Sequence, residues 1–310
     1  MARKILLDVD TGVDDALAII LASKSTDAQL LAITTVNGNV SLEKATVNTL
    51  KVLTLLHKEG DIPVIQGAHA PLRRPCFFEH SVHGNDGLGG ALPHFEPTAQ
   101  PADGYAPDYI IEQANRYPGE LTLVMTGPLT NLALALEKCP DLPKLVAGVV
   151  YMGGAAFTHG NVTPVAEYNM YVDPEAARKV IHSGFAPLVQ VGLDVTRKAL
   201  LTRENIGSLV DSPIKQFIKT CTADYIKLYE ARNNVAACAL HDPLAVAYAL
   251  KPELLHLEEM FVEVETNSQF CDGQTVCDRQ HRLGKPANVN VATEIDSDAF
   301  LSYFLHSIQN

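Results

Sequence analysis

The sequence predicts an α/β fold: a single large domain with a mainly parallel central sheet flanked by helices, and an active site at the carboxyl ends of the strands. Three observations carry this prediction. Short apolar runs, several rich in β-branched residues, alternate with stretches of helical spacing through most of the first two-thirds of the chain, the pattern of parallel strands joined by crossover helices. Hydrophobic residues make up 47% and charged residues 19%, which supplies a large core and excludes a disordered chain. No internal repeat, low-complexity tract or Gly/Ser linker divides the sequence, so residues 1–310 are read as one domain.

The elements follow in order. Residues 4–9 (KILLDV) are apolar and then abruptly acidic, a short buried strand, and residues 14–22 continue with helical spacing. Residues 29–36, rich in β-branched side chains, form a second strand; 42–56 an amphipathic helix; 63–66 a short strand. Residues 68–108, where Pro, Gly and His cluster, read as a long loop. A helix over 109–115 leads to a strand at 121–125 that stops at Thr126-Gly127-Pro128. Then come a helix at 130–136, a strand at 146–152, a helix at 174–181 and a strand at 188–191. The last third is more helical: one long amphipathic helix over 213–230, another over 241–250, strands at 261–265 and 289–291, and a final helix over 298–308. Open parallel sheets take ligands at the carboxyl ends of their strands, which directs attention to the residues just after each one.

With 36 acidic against 24 basic side chains, the net charge of −12 argues against a nucleic-acid backbone or an anionic membrane surface as partner, and leaves small ligands without phosphate open. No apolar run approaches the ~20 residues of a transmembrane helix. The opening MARKILLDVD is too short in its apolar stretch for a signal peptide, so a cytoplasmic location is expected. The six cysteines, Cys76, Cys139, Cys221, Cys238, Cys271 and Cys277, form no C-x-x-C pair, which weakens zinc and thioredoxin-like readings and favours free thiols.

Asp8, Asp10, Asp14 and Asp15 fall within eight residues. In a strand Asp8 and Asp10 share a face. Gly12 permits a sharp turn, and Asp14 and Asp15 then occupy the first turn of the following helix. So many like charges in a weakly screened site repel by several kcal/mol. Helix capping accounts for one or two aspartates at such a place, not four. A hard divalent cation with oxygen ligands neutralises the set directly. An EF-hand is excluded, because Val13 and Ile19 stand where its loop needs Gly and Glu. A phosphatase of the haloacid-dehalogenase type opens with D-x-D-x-[TV]; Asp8-Val9-Asp10-Thr11 fits, Gly12 does not, and on that reading Asp8 is a nucleophile assisted by Mg²⁺.

The segment Asp8-Val9-Asp10-Thr11-Gly12-Val13-Asp14-Asp15-Ala16 also resembles the D-x-D-P-G-x-D-D-A signature of nucleoside hydrolases, with Thr11 in place of Pro. Further segments carry the resemblance along the chain: Thr35-Val36-Asn37-Gly38-Asn39-Val40, Thr126-Gly127-Pro128-Leu129-Thr130-Asn131, Met152-Gly153-Gly154, Gly160-Asn161-Val162-Thr163, Ala166-Glu167-Tyr168-Asn169, Asp173-Pro174-Glu175-Ala176-Ala177 and His241-Asp242-Pro243. Each is weak alone; together and in this order they are similar to the inosine-uridine nucleoside hydrolase family over nearly the whole length. Tyr168 replaces the usual Phe.

The resemblance implies a calcium-dependent enzyme that cleaves the N-glycosidic bond of purine and pyrimidine ribonucleosides, releasing ribose and free base. It implies Ca²⁺ held by the carboxylates of Asp10, Asp15 and Asp242 and the backbone carbonyl of Thr126. Asp14, Asn161, Glu167 and Asn169 would bind ribose hydroxyls, Asn39 would orient sugar and water, and Asp10 would be the general base. It also implies a homo-oligomer, a tetramer or a dimer. The chemistry fits these residue types. A sugar that becomes oxocarbenium-like needs negative charge beneath it and a positioned, deprotonated water. The base departs poorly as an anion, and His241, an imidazole next to Asp242, is the natural group to assist it. His83, in the loop segment His83-Gly84-Asn85-Asp86-Gly87, resembles a family residue near the site mouth that reaches the base. Tyr225 and Tyr229, one helical turn apart, face the same way and would stack on the base or relay protons. Met152 at a strand end would pack against ribose. Two alternatives stay beside this reading: the phosphatase, and a calcium-dependent nucleoside sensor that binds without turnover.

Overall fold

The first strand, β1 (Arg3–Val9), explains the architecture around it. Ile5, Leu7 and Val9 pack into one hydrophobic cluster and Leu6 into a second. Successive side chains point to opposite faces, so a strand apolar on both parities must be covered on both sides. The same division recurs in β4 (Leu121–Met125), where Val124 joins the first cluster and Leu123 and Met125 the second, and in β5 (Gly148–Met152), where Val150 and Met152 oppose Val149 and Tyr151.

The computed structural model describes residues 2–309. The remaining strands are β2 (Ala28–Thr35), β3 (Val64–Gln66), β6 (Leu188–Val191), β7 (Leu200–Thr202), β8 (Ala237–Ala239), β9 (Leu255–Val264), β10 (Thr275–Asp278) and β11 (Val289–Ile295). Nine of the eleven strands among the described residues form one sheet in the order β10-β9-β11-β6-β5-β4-β1-β2-β3. From β3 to β11 the pairings are parallel; β9 lies antiparallel to β11, and β10 antiparallel to β9. β7 and β8 make a separate antiparallel ribbon.

The helices are α1 (Val13–Lys24), α2 (Leu42–Leu55), α3 (His80–His83), α4 (Ala106–Arg116), α5 (Thr130–Lys138), α6 (Tyr168–Val172), α7 (Pro174–Ile181), α8 (Leu193–Thr196), α9 (Arg203–Ser208), α10 (Pro213–Cys221), α11 (Ala223–Asn233), α12 (His241–Leu250) and α13 (Ser297–Gln309). α1, α12 and α13 pack together over one face of the sheet, and α4, α5 and α7 over the other. No helix among the described residues is long and apolar enough to cross a membrane.

The helix expected over 213–230 is two helices. Thr222 ends α10 and begins α11: both its backbone N–H and its hydroxyl bond the carbonyl of Ile218, at 3.1 and 2.7 Å. This competition from a Thr side chain bends a helix. The break faces Gly89, where an added Cβ would stand 2.6 Å from the Cys221 carbonyl oxygen. The strand expected at 261–265 runs over Leu255–Val264, and that at 289–291 over Val289–Ile295, because Leu255–Met260 pairs with Val289–Ile295 while Phe261–Val264 pairs with β10. Strands β7, β8 and β10 and helices α3, α6, α8 and α9 were not expected, α3 lying within the loop read over 68–108; elements of three to six residues are too short to display a period.

Candidate active site

The acidic segment leaves β1 and enters α1 at the carboxyl edge of the sheet. Asp8 is still in β1 and fully buried; its Oδ2 accepts from Thr34 Oγ1 at 2.5 Å and Asn131 Nδ2 at 2.7 Å. Burial pushes its carboxyl up to about 7. Thr11, where the family signature has Pro, turns its hydroxyl to Thr49 of α2 at 2.6 Å, and Asn48 Nδ2 donates to the Thr11 carbonyl at 3.1 Å, which ties the turn to α2.

Asp15 is the hub. Its Oδ1 accepts from the Asp10 N–H at 3.3 Å and Thr126 Oγ1 at 2.9 Å; its Oδ2 accepts from the Gly12 N–H at 3.0 Å and Asn39 Nδ2 at 3.2 Å. Asn39 also donates its backbone N–H to Asp10 Oδ2 at 2.6 Å. The other oxygen of Asp10, and Oδ1 of Asp14, are buried with no hydrogen-bond partner in the protein. Asp242 arrives from the start of α12, and carboxylate oxygens of Asp14, Asp15 and Asp242 lie within 4.8 Å of one another. Burial, and after it the neighbouring carboxylates, raises Asp10 and Asp242 well above the ordinary range; burial raises Asp14 to about 6.

No Lys or Arg among the described residues pairs with any of these acids. His83 is not their counterion: its Nδ1, 3.8 Å from Asp14 Oδ1, accepts from the Val13 N–H at 3.0 Å, and burial lowers it to about 4. Orphaned buried oxygens, mutual repulsion and an all-oxygen donor set are what a hard cation satisfies. The residues therefore fit a metal ion: of the expected carboxylate ligands Asp15 and Asp242 converge, together with Asp14, while Asp10 is tied to Asp15 through its backbone N–H and keeps one carboxylate oxygen unpartnered.

Above the acids opens a cavity of about 300 Å³. Asp10 and Asp15 are fully buried and do not line it; the other residues assigned from the sequence to the metal, the sugar or the base do. Asn39, Thr126 and Met152 come from the loops or strand ends after β2, β4 and β5. Asn169 Nδ2 donates to the carbonyls of Thr126, at 2.7 Å, and Met152, at 3.1 Å. Glu167 caps α6, accepting from the N–H groups of Asn169, Met170 and Gly154 at 2.9, 3.2 and 3.0 Å; burial lifts it to about 6 despite those bonds. Asn161 Oδ1 accepts from the Tyr168 N–H at 2.9 Å. Each of these side chains is thus locked by backbone bonds before any ligand arrives.

His83, Tyr225 and Tyr229 form an aromatic wall: His83 and Tyr225 meet edge to face at 6.5 Å, Tyr225 and Tyr229 at 6.2 Å. His241 is half-buried, with Nδ1 2.7 Å from Thr196 Oγ1. Burial, and then the charges of Arg197 and His83, lower it to about 3. Arg197, which also lines the cavity, was not singled out from the sequence. It donates to Thr158 Oγ1 at 3.0 Å and to the carbonyls of His159 and Gly160, both at 2.8 Å. Its position just past the end of β6 is the signal that could have found it. Asp8 does not line the cavity, and its bonded, buried carboxylate removes support for its role as a nucleophile.

Residues 5–302 match the family described as inosine-uridine preferring nucleoside hydrolase. A pyrimidine-specific ribonucleoside hydrolase of Shewanella baltica, RihA, is 41% identical, aligned over 100% of this chain and 97% of its own. One of Escherichia coli, RihB, is 40% identical over 96% of this chain and 94% of its own. Among solved structures, the plant nucleoside hydrolase PpNRh1 superposes with a TM-score of 0.93 at 34% identity, covering 100% of this chain and 99% of its own. A purine-preferring ribonucleoside hydrolase from Gardnerella vaginalis gives 0.92 at 34% identity, with 99% and 98% covered. With signature, sheet and acid-floored cavity in place, the chain belongs to the inosine-uridine preferring nucleoside hydrolase family and is a ribonucleoside hydrolase, an enzyme of N-glycosidic bond cleavage.

Proposed function

We propose that the chain is a calcium-dependent hydrolase of ribonucleosides that turns over pyrimidine nucleosides fastest. The observation that carries the reading is one cavity that has carboxylates at its floor and His241 in its wall. Asp10, Asp15 and Asp242, with the Thr126 carbonyl, would hold Ca²⁺, which when bound supplies positive charge to acidify a water and anchor ribose hydroxyls. The unpartnered oxygen of Asp10 takes the proton of the attacking water. Asp14, Asn39, Asn161, Glu167 and Asn169 grip the sugar, and Met152 packs against it. Binding energy from these remote hydroxyls supports distortion at the reacting carbon. Negative charge beneath the ring favours the oxocarbenium-like transition state. His241 assists departure of the base, which lies against His83, Tyr225 and Tyr229.

The pyrimidine preference is supported by the relatives at 40–41% identity, named as pyrimidine-specific, against 34% for the purine-preferring structure. The test is release of reducing sugar from uridine, cytidine, inosine and adenosine, with and without a calcium chelator. Ribose should form fastest from uridine or cytidine, stop with chelator and resume with added Ca²⁺. Absence of ribose from every nucleoside at saturating calcium overturns the proposal; inosine outrunning both pyrimidines overturns the preference.

A further inference from the structure

A buried threonine stands behind His241 and holds its imidazole from the side away from the cavity's ligand space by a single hydrogen bond. Thr196 ends α8, is fully buried, and brings Oγ1 to 2.7 Å from His241 Nδ1. Among the described residues its hydroxyl has no other side-chain or carbonyl partner. A threonine hydroxyl carries one hydrogen, and an imidazole nitrogen is either a donor or a bare acceptor. If Nδ1 carried a hydrogen, it would donate to Oγ1 and the hydroxyl hydrogen would be stranded in the interior, an unfavourable state for a buried donor. Only one arrangement leaves nothing stranded: the hydroxyl donates to a bare Nδ1, and the imidazole hydrogen sits on Nε2. His241 lines the cavity, and Nε2 has no partner among the described residues.

We infer that Thr196 is a positioning residue for base departure: its hydroxyl fixes the His241 tautomer and ring orientation so that the Nε2–H bond is presented to the leaving base. The inference rests on the proposed role of His241. When the bond between C1′ and the base nitrogen breaks, its electron pair stays on the base, and a hydrogen bond from Nε2–H stabilises that charge until solvent protonates the base. Water adds at C1′ and gives its proton to Asp10.

Thr196 suits the task because its own frame is rigid. A β-branched side chain has few χ1 choices. Within α8 the Thr196 N–H bonds the Gly192 carbonyl at 3.1 Å, and the Leu193 N–H bonds Gly154 at 2.9 Å. The Asp194 carboxylate accepts from the N–H groups of Ala156 and Phe157, both at 2.8 Å, and Arg197 holds the next three residues of the same loop. One short segment therefore references the imidazole to the loop that carries Asn161. Sugar and base are aligned by the same bracket.

The experiment compares Thr196→Val, Thr196→Ser and His241→Ala on uridine and on 4-nitrophenyl β-D-ribofuranoside, whose phenolate leaves without help. Thr196→Val keeps the shape and removes the hydroxyl. It should lower kcat on uridine about tenfold, a fraction of what a general acid contributes, with KM little changed and the nitrophenyl riboside rate retained. Thr196→Ser should restore most of the uridine rate. An equal loss on both substrates, or no loss, overturns the inference. If His241→Ala selectively loses uridine turnover while Thr196→Val does not, Thr196 fails and the reading of His241 stands. If His241→Ala leaves uridine turnover intact, the reading of His241 itself fails. Should the valine variant not fold, long-range ¹H–¹⁵N spectra of the wild-type imidazole decide: a bare Nδ1 supports the inference and a bare Nε2 overturns it.

Discussion

Gly38 stands so close to Asp10 that a Cβ added to it would lie 2.0 Å from Asp10 Oδ2. The contact needs glycine for its missing side chain. Gly38→Ala must displace either the carboxylate or the 37–39 turn that donates to it. A displacement near 1 Å at a catalytic group costs about 100-fold in rate. The expected outcome is a loss of that order in kcat on uridine with the far-ultraviolet circular dichroism preserved; a rate within threefold of wild type removes the constraint.

Asn131 fastens the base of the acidic segment from α5. Its Oδ1 accepts from the Ala68 N–H at 2.8 Å, and its Nδ2 donates to Asp8 Oδ2 at 2.7 Å and the Thr35 carbonyl at 3.0 Å. Asn131→Ala leaves three buried polar groups short of a partner. At about 1–3 kcal/mol for each group left unsatisfied, with partial relaxation, a loss of about 3 kcal/mol is expected. Urea unfolding followed by fluorescence measures it; a midpoint unchanged from wild type contradicts the role assigned to Asn131.

Calcium should stabilise the fold as well as activate it. A ligand at 100 times its dissociation constant adds about 2.7 kcal/mol, which for a chain of this size raises the melting temperature by about 5 °C. Differential scanning calorimetry with calcium or chelator reads the shift. Asp242→Asn removes one carboxylate of the converging trio and should abolish most of it. A melting temperature indifferent to calcium in the wild type speaks against the metal site.

Arg197→Ala removes the three bonds that hold Thr158, His159 and Gly160, the residues leading into Asn161. The loop then costs ordering entropy when it binds the sugar, so KM for uridine should rise about tenfold, the scale of about 1.4 kcal/mol. Steady-state kinetics measures it; an unchanged KM shows that the loop holds its shape without the guanidinium.

At the end of β10, Asp278 accepts from the N–H groups of Leu283, at 2.6 Å, and Arg282, at 2.8 Å. The Leu283 bond first, and the Arg282 bond with it, hold its carboxyl below the ordinary value. A folded-state value below the unfolded one means stability that is present above the unfolded value of about 3.9 and lost as pH falls through the folded one. Carbon-detected NMR titration should place Asp278 below the exposed aspartates, and Asp278→Asn should soften the acid limb of the stability profile. An ordinary titration midpoint contradicts the two bonds.

What could be read from the sequence follows from how densely each signal is written. Four aspartates within eight residues, and the pair His241-Asp242, announce themselves because their chemistry is improbable without a common purpose. The alternation of strand and helix up to β6 was legible because each element is long enough to show a period. Thr196 and Arg197 were not, since they sit on or beside a four-residue helix with no pattern of its own and act through atoms distant in sequence. The break at Thr222 was hidden for a different reason: helical spacing continues across it, and a threonine in a helical stretch does not show in the sequence that its hydroxyl will share the Ile218 carbonyl with its own N–H. Glu167 and Asn169 were legible as polar residues in a motif, but their engagement with backbone amides and carbonyls emerges only from the three-dimensional arrangement.

The acidic trio draws Asp14 and Asp15 from the first helix and Asp242 from the twelfth. On the ribosome, the first two emerge more than two hundred residues before the third is translated. A stalled or truncated product that stops short of α12 carries mutually repelling carboxylates with no means of completing their enclosure. Synthesis through the start of α12 is thereby a precondition for bringing the three carboxylates together.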